Sequence, residues 1–164
     1  MKPPYAPFPV RLACAREMVA TMRPLGVAQL DQLEAAASQV DAILAAATVG
    51  LTALMPGRFS ATGHHVDADQ KARLLAAILG CRPCCHLGPG TGAQPRMADL
   101  NHHRLVCLRC AQTVYRRIDD DRCELCDEPT AGRFSEVLCS LGNTLISGNV
   151  GDCCLWVATG ERAA

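Results

Sequence analysis

Cys107-Leu108-Arg109-Cys110 and, twelve residues on, Cys123-Glu124-Leu125-Cys126 decide how this chain is read. Two Cys-x-x-Cys pairs at that separation form the pattern of a tetrahedral zinc site. Each pair lets two thiolates reach one ion from a tight turn, and the intervening arm returns the second pair to the first. Four thiolates saturate zinc and leave no position for water or substrate. The expectation is one structural zinc held by Cys107, Cys110, Cys123 and Cys126. Four thiolates also suit iron, but nothing else in the chain signals a redox partner.

Further donors bracket these pairs. Cys81, Cys84, Cys85 and His86 precede them, and Cys153-Cys154 follow. A nested arrangement is expected, with the inner pairs on one ion and the outer groups on a second. Adjacent cysteines grip one ion poorly in the knuckle fashion. One of Cys84 and Cys85 and one of Cys153 and Cys154 are therefore expected to ligate, completed by His86, His102 or His103. The alternative is a set of free thiols or a local disulfide. The pair His64-His65 falls in a loop and is read as solvated.

Ten of the eleven cysteines lie beyond Gly80; Cys14 alone precedes it and is read as a small core residue. Residues 1–7 are broken by prolines and contain no apolar run of the kind that opens an export signal. With paired cysteines, this favours metal over disulfides and an intracellular chain. The longest apolar run, Ala42 to Met55, is too short to span a bilayer. Formal net charge over the 164 residues is zero, so no global basic surplus points to nucleic acid.

The first half reads as helical. A helix is expected from Val10 to Met22, ending before Pro24. The next carries an unbroken three-four spacing: Leu30, Leu33, Ala37, Val40, Leu44, Ala47, Leu51 and Leu54. That seam fits either a coiled coil that recruits a partner or a second copy, or a core helix of a bundle. The small and apolar flanks Ala36, Ile43 and Gly50 favour the core helix. Residues 57–66 read as a loop. Asp67 and Gln70 then form a capping-box variant for a helix over Ala68 to Leu79, with Gly80 expected in a left-handed cap. Near the C-terminus, Gly142-Asn143 is read as a hairpin turn between Phe134–Leu141 and Thr144–Val150, with a short helix from Ser135 as the alternative. Leu155-Trp156-Val157 reads as a buried terminal strand.

The stretch from about Arg104 to Thr130 resembles the double knuckle of a rubredoxin-like zinc ribbon. The resemblance implies a small β-hairpin module around one zinc. It departs from that family's pattern where a glycine tends to follow each knuckle, because Ala111 and Asp127 stand there. Thr113 to Ile118 would form the ribbon arm. Arg104, Arg109, Arg116 and Arg117 are its candidate nucleic-acid contacts, followed at once by Asp119, Asp120, Asp121, Glu124, Asp127 and Glu128.

The expected fold class is α+β: an N-terminal three-helix segment and a small C-terminal β zinc-ribbon module. The expected domains are a helical one over 1–80 and a Cys-rich zinc-binding one over 81–164. No phosphate loop, nucleophile elbow or acid–base pair stands out. A non-enzymatic zinc-binding adaptor or structural subunit, docking in a larger protein assembly, fits these features. The alternatives are a nucleic-acid-binding regulator acting through the ribbon and an iron–sulfur or thiol redox protein.

Overall fold

A computed structural model describes residues 6–21, 26–54, 59–62, 67–88, 94–111, 122–131 and 133–159. The elements run α1 (Phe8–Thr21), α2 (Val27–Leu54), β1 (Phe59–Thr62), α3 (Ala68–Ile78), β2 (Arg82–Pro83), β3 (Arg96–Asp99) and β4 (Arg104–Cys107). They continue with α4 (Leu108–Ala111), β5 (Ser135–Leu141), β6 (Thr144–Val150) and α5 (Leu155–Thr159). The class is mixed α and β, as expected. Among the described residues the strands form one six-stranded sheet in the order β1-β5-β6-β3-β4-β2.

The β5–β6 hairpin is the centre of that sheet. Its two-residue turn puts Gly142 at φ 55, while Asn143 has no positive φ. That is the pattern of a type II′ turn, which needs glycine at its first central position. Leu141 pairs with Thr144 across it, and the ladder runs to Ser135 opposite Val150. β1 joins β5 in parallel. The stretch read as a loop over 57–66 therefore supplies an edge strand. Four residues were too few to show an alternating pattern.

Successive strand residues face opposite sides, and both sides here are covered. Val137, Cys139 and Ile146 share a core with Leu74 and Ala77 of α3 and Val157 and Ala158 of α5. Leu138 and Leu145 point the other way, against Val40 and Leu44 of α2. The middle of the heptad seam, Val40, Leu44 and Ala47, is thus the inner face of a core helix laid on the sheet. Ser140 Oγ donates to Asp41 Oδ1 at 3.2 Å and pins the helix there. Leu30, at the start of the seam, stays exposed. The side chains of Leu51 and Leu54 lie outside the described residues. Residues of α3 and β5 share one core.

α3 begins as its capping box requires. Asp67 Oδ1 accepts the Gln70 N–H, and Gln70 Oε1 accepts the Asp67 N–H, both at 2.8 Å. Gln70 is buried, and its Nε2 also donates to the Trp156 carbonyl, tying α3 to α5. α1 packs along α3 through Phe8, Ala15, Ala72 and Ala76. Cys14 turns outward from this pair and is exposed, contrary to its reading as a core residue. Leu155 to Val157 form the start of α5 instead of a strand.

Gly80 is required for a different reason from the one expected. It has no positive φ; the capping residue is Leu79, in right-handed geometry. A β-carbon at Gly80 would collide with the Arg11 guanidinium. That guanidinium donates to the Ala76 carbonyl at 2.8 Å and so caps the end of α3 from α1. Cations are favoured at a helix C-terminus. Gly80→Ala should expel Arg11 and cost about 1–2 kcal/mol, the scale of a lost charged hydrogen bond discounted for partial exposure. Arg11→Ala should cost a similar amount, and the double variant no more than either single. Denaturant unfolding of the four proteins checks this; additive losses would refute it.

Candidate metal centres

Two groups of four soft donors come together, and each takes one Cys-x-x-Cys pair. Cys84, His86, Cys107 and Cys110 form one; Cys123, Cys126, Cys153 and Cys154 form the other. In each group the ligand atoms all lie within 4.8 Å of one another. The expected inner site of Cys107, Cys110, Cys123 and Cys126 is not assembled; its two pairs serve separate clusters. The nested pairing of residues 81–86 with the C-terminus is likewise not assembled.

The sheet explains the first cluster. β2 lies parallel to β4 at the sheet edge, with Pro83 opposite Leu105. The Cys84 N–H donates to the Leu105 carbonyl at 2.8 Å, which carries Cys84 alongside Cys107. The Cys107 N–H then donates to Cys84 Sγ at 3.4 Å. α4, a single helical turn, returns Cys110 to the same spot, where its Sγ lies 3.3 Å from His86 Nδ1. Burial pushes the Cys84 thiol up, but hydrogen bonds from the backbone of Cys107 and His86 outweigh it and bring it to about 7. The Cys110 thiol, hydrogen-bonded to Cys107, is pushed up to about 11.

The second cluster is fixed by β6. The Glu124 N–H donates to the Asn149 carbonyl at 3.0 Å, and the Asn149 N–H donates to Glu124 Oε2 at 2.7 Å. These reciprocal bonds clamp the turn bearing Cys123 and Cys126 to the end of β6. Cys153 and Cys154 sit in the turn that follows, before α5. Cys126 Sγ lies 3.6 Å from Cys153 Sγ. A zinc–sulfur bond of about 2.3 Å implies a tetrahedron edge of about 3.8 Å. A disulfide would need about 2.05 Å. The donor set therefore fits a thiophilic ion. The neighbours Cys153 and Cys154 both contribute, contrary to the expectation of only one.

Without an ion, the sulfurs share protons unequally. Thiols of Cys126 and Cys154 donate to Cys123 and hold it down at about 2. The same hydrogen bond pushes Cys126 up to about 12. Donation to Cys123 and Cys126 pushes Cys154 up, and burial pushes Cys153 up. Three of the four thiols are thus shifted toward the protonated form.

The other candidate ligands are placed elsewhere. Cys81 is a core residue whose thiol reaches the Ala77 carbonyl at 3.6 Å, and burial pushes it up to about 12. Cys85 is exposed beside the first cluster. His102 Nδ1 pairs with Asp99 Oδ2 at 2.6 Å in the β3–β4 turn. His103 is exposed there at φ 50, and its carbonyl accepts the Arg82 N–H. Arg104 and Arg109 are exposed near the first cluster. Arg116, Arg117, His64, His65 and the ribbon arm lie outside the described residues. Among the described residues, no helix is long and apolar enough to cross a membrane.

Raised thiols must lose their protons for an ion to bind, so metal affinity rises with pH. Each released proton contributes up to about tenfold per pH unit. Zinc titration near pH 7 should release several protons per chain. Calorimetry in buffers of different ionisation enthalpy reads this; an affinity flat between pH 6 and 8 would contradict it.

No protein-family model, characterised protein or solved structure matches this chain. The metal reading therefore stands on donor chemistry and geometry, and mutagenesis can decide the pairing. With the two clusters as described, Cys110→Ser and Cys126→Ser each strip a different ion, and the double variant strips both. Were all four knuckle cysteines on one ion, the double variant would lose no more than either single. Elemental analysis of the three proteins separates the outcomes.

Proposed function

We propose that this chain is a non-enzymatic zinc-binding adaptor or structural subunit that docks within a larger protein assembly. The carrying observation is the division of eight donors into two sets of four. Four protein donors fill the coordination of zinc and leave no site for an activated water. Each ion then holds backbone segments together: β2, β4 and α4 in one case, the β6 end and α5 in the other. An exposed apolar row on α1, Val10 at 57% and Met18 at 42% with exposed Cys14 between them, supports docking. These residues follow helical spacing along one face.

A second reading, binding of an anionic polymer such as nucleic acid, has one supporting observation. Arg82 and Arg104 are register partners on β2 and β4, both exposed, with exposed Arg109 close behind on α4. The zero net charge supplies no broader attraction. A steep salt dependence of binding to arbitrary duplex would favour this reading.

X-ray absorption at the zinc edge tests the leading reading. With two zinc ions per chain, the averaged shell should contain seven sulfurs and one imidazole nitrogen over both ions, the donors present in the clusters. An oxygen ligand would mean an open, reactive position and would sink the structural assignment, as would a protein purified without metal.

A further inference from the structure

We propose that the two centres differ in purpose. The Cys84–His86–Cys107–Cys110 cluster is an exchangeable zinc site, and Cys85 is the thiol through which its ion passes in and out. The second cluster holds its ion permanently. This rests on the reading that both clusters bind zinc.

The first argument is position. Cys123 and Cys154 belong to the main hydrophobic core, and Cys126 packs against it. Cys126 also packs against the α1–α3 core, so that cluster sits where the two interiors meet. No ligand of the first cluster belongs to any of the three cores. Cys84 and His86 follow the two-residue edge strand β2, Cys107 is the last residue of β4, and Cys110 lies in the four-residue α4. Loss of an ion there releases a sheet edge and leaves the packed interior in place. Loss of the other ion removes the centre that ties the buried Cys123 and Cys154 of the main core to Cys126 and Cys153.

The second argument is access. Cys123 and Cys154 are 0% and 2% exposed. Cys153 is exposed and offers an incoming ligand one face, but the two buried sulfurs keep that ion from leaving. In the first cluster no donor is fully buried, and His86 is exposed. Zinc exchanges by ligand substitution, so the site with no fully buried donor is the one that exchanges.

Cys85 is the incoming donor. It is exposed and outside the group of four, yet its Sγ lies 3.9 Å from His86 Nδ1 and 4.0 Å from Nε2. The thiol can displace the imidazole: the zinc–nitrogen bond breaks, a zinc–sulfur bond forms, and the thiol proton leaves to solvent. No electrons are transferred. The freed edge then lets a chelator or an external thiol complete the removal.

The experiment follows zinc transfer from the full-length two-zinc protein to excess 4-(2-pyridylazo)resorcinol. One equivalent should leave at least tenfold faster than the other, with the far-ultraviolet circular dichroism unchanged after the first. The second should leave only with unfolding. Cys84→Ser should purify with the slow equivalent alone. Cys85→Ala should retain both ions and slow the fast phase at least tenfold. Two equivalents leaving at one rate from the wild-type protein would overturn the division, whatever the variants do. A fast phase unchanged in Cys85→Ala would overturn the role of that thiol. A starting protein without zinc would instead refute the zinc reading itself, so the two failures are told apart.

Discussion

Four sulfurs at the junction of two hydrophobic interiors constrain the rest of this structure. Cys123 and Cys154 are packed among Leu74, Leu100, Leu125 and Val157, where no water can satisfy them. A buried thiol is tolerated as a small apolar group, but a thiolate in such surroundings needs a counter-charge. The four donors there could hold an ion that supplies it, where Cys126 packs against both cores. Aromatics make up only 4% of the sequence, so there are few large side chains to close that space.

The sheet does the sorting of ligands. Parallel pairing of β2 with β4 brings Cys84 beside Cys107, although the two are separated by the whole β3 excursion. Antiparallel pairing of β5 with β6 delivers Cys153 and Cys154 to the turn held by Glu124 and Asn149. Close approach matters at two glycines there. A β-carbon on Gly148 would stand 2.8 Å from Glu124 Oε2, and one on Gly151 would stand 2.7 Å from Thr130 Cγ2. The clamp between knuckle and strand needs both positions bare.

Local features were legible in the sequence because local physics sets them. The capping box at Asp67 and Gln70 depends on residues three apart. The Gly142-Asn143 turn declares itself by composition, and the seam of α2 by its spacing. The partition of ligands was not legible. Spacing tells which cysteines share a turn, but which turns share an ion depends on strand pairing, and β1 to β4 are too short to announce themselves. Gly80 was misassigned for a related reason: the group it accommodates, Arg11, arrives from a distant helix. Cys14 was misassigned because outward and inward positions on α1 differ little in apolar character.

The two Cys-x-x-Cys pairs look alike in sequence and are built differently, and the residue after each pair records the difference. Asp127 takes φ 67, the left-handed conformation that a knuckle turn usually gives to glycine. Aspartate tolerates that region better than most residues. Its N–H donates to the Cys123 carbonyl at 2.7 Å, and the Cys123 N–H donates to the Glu128 carbonyl at 2.8 Å, closing the loop. Ala111 has no positive φ, because Cys107 ends a strand and Cys110 lies within a helical turn. A closed knuckle holds both of its sulfurs rigidly. A strand end followed by one turn of helix holds them only as firmly as the sheet edge itself. The departures from glycine that set this chain apart from a ribbon with two equal knuckles thus coincide with the separation of its donors into a buried centre and a peripheral one.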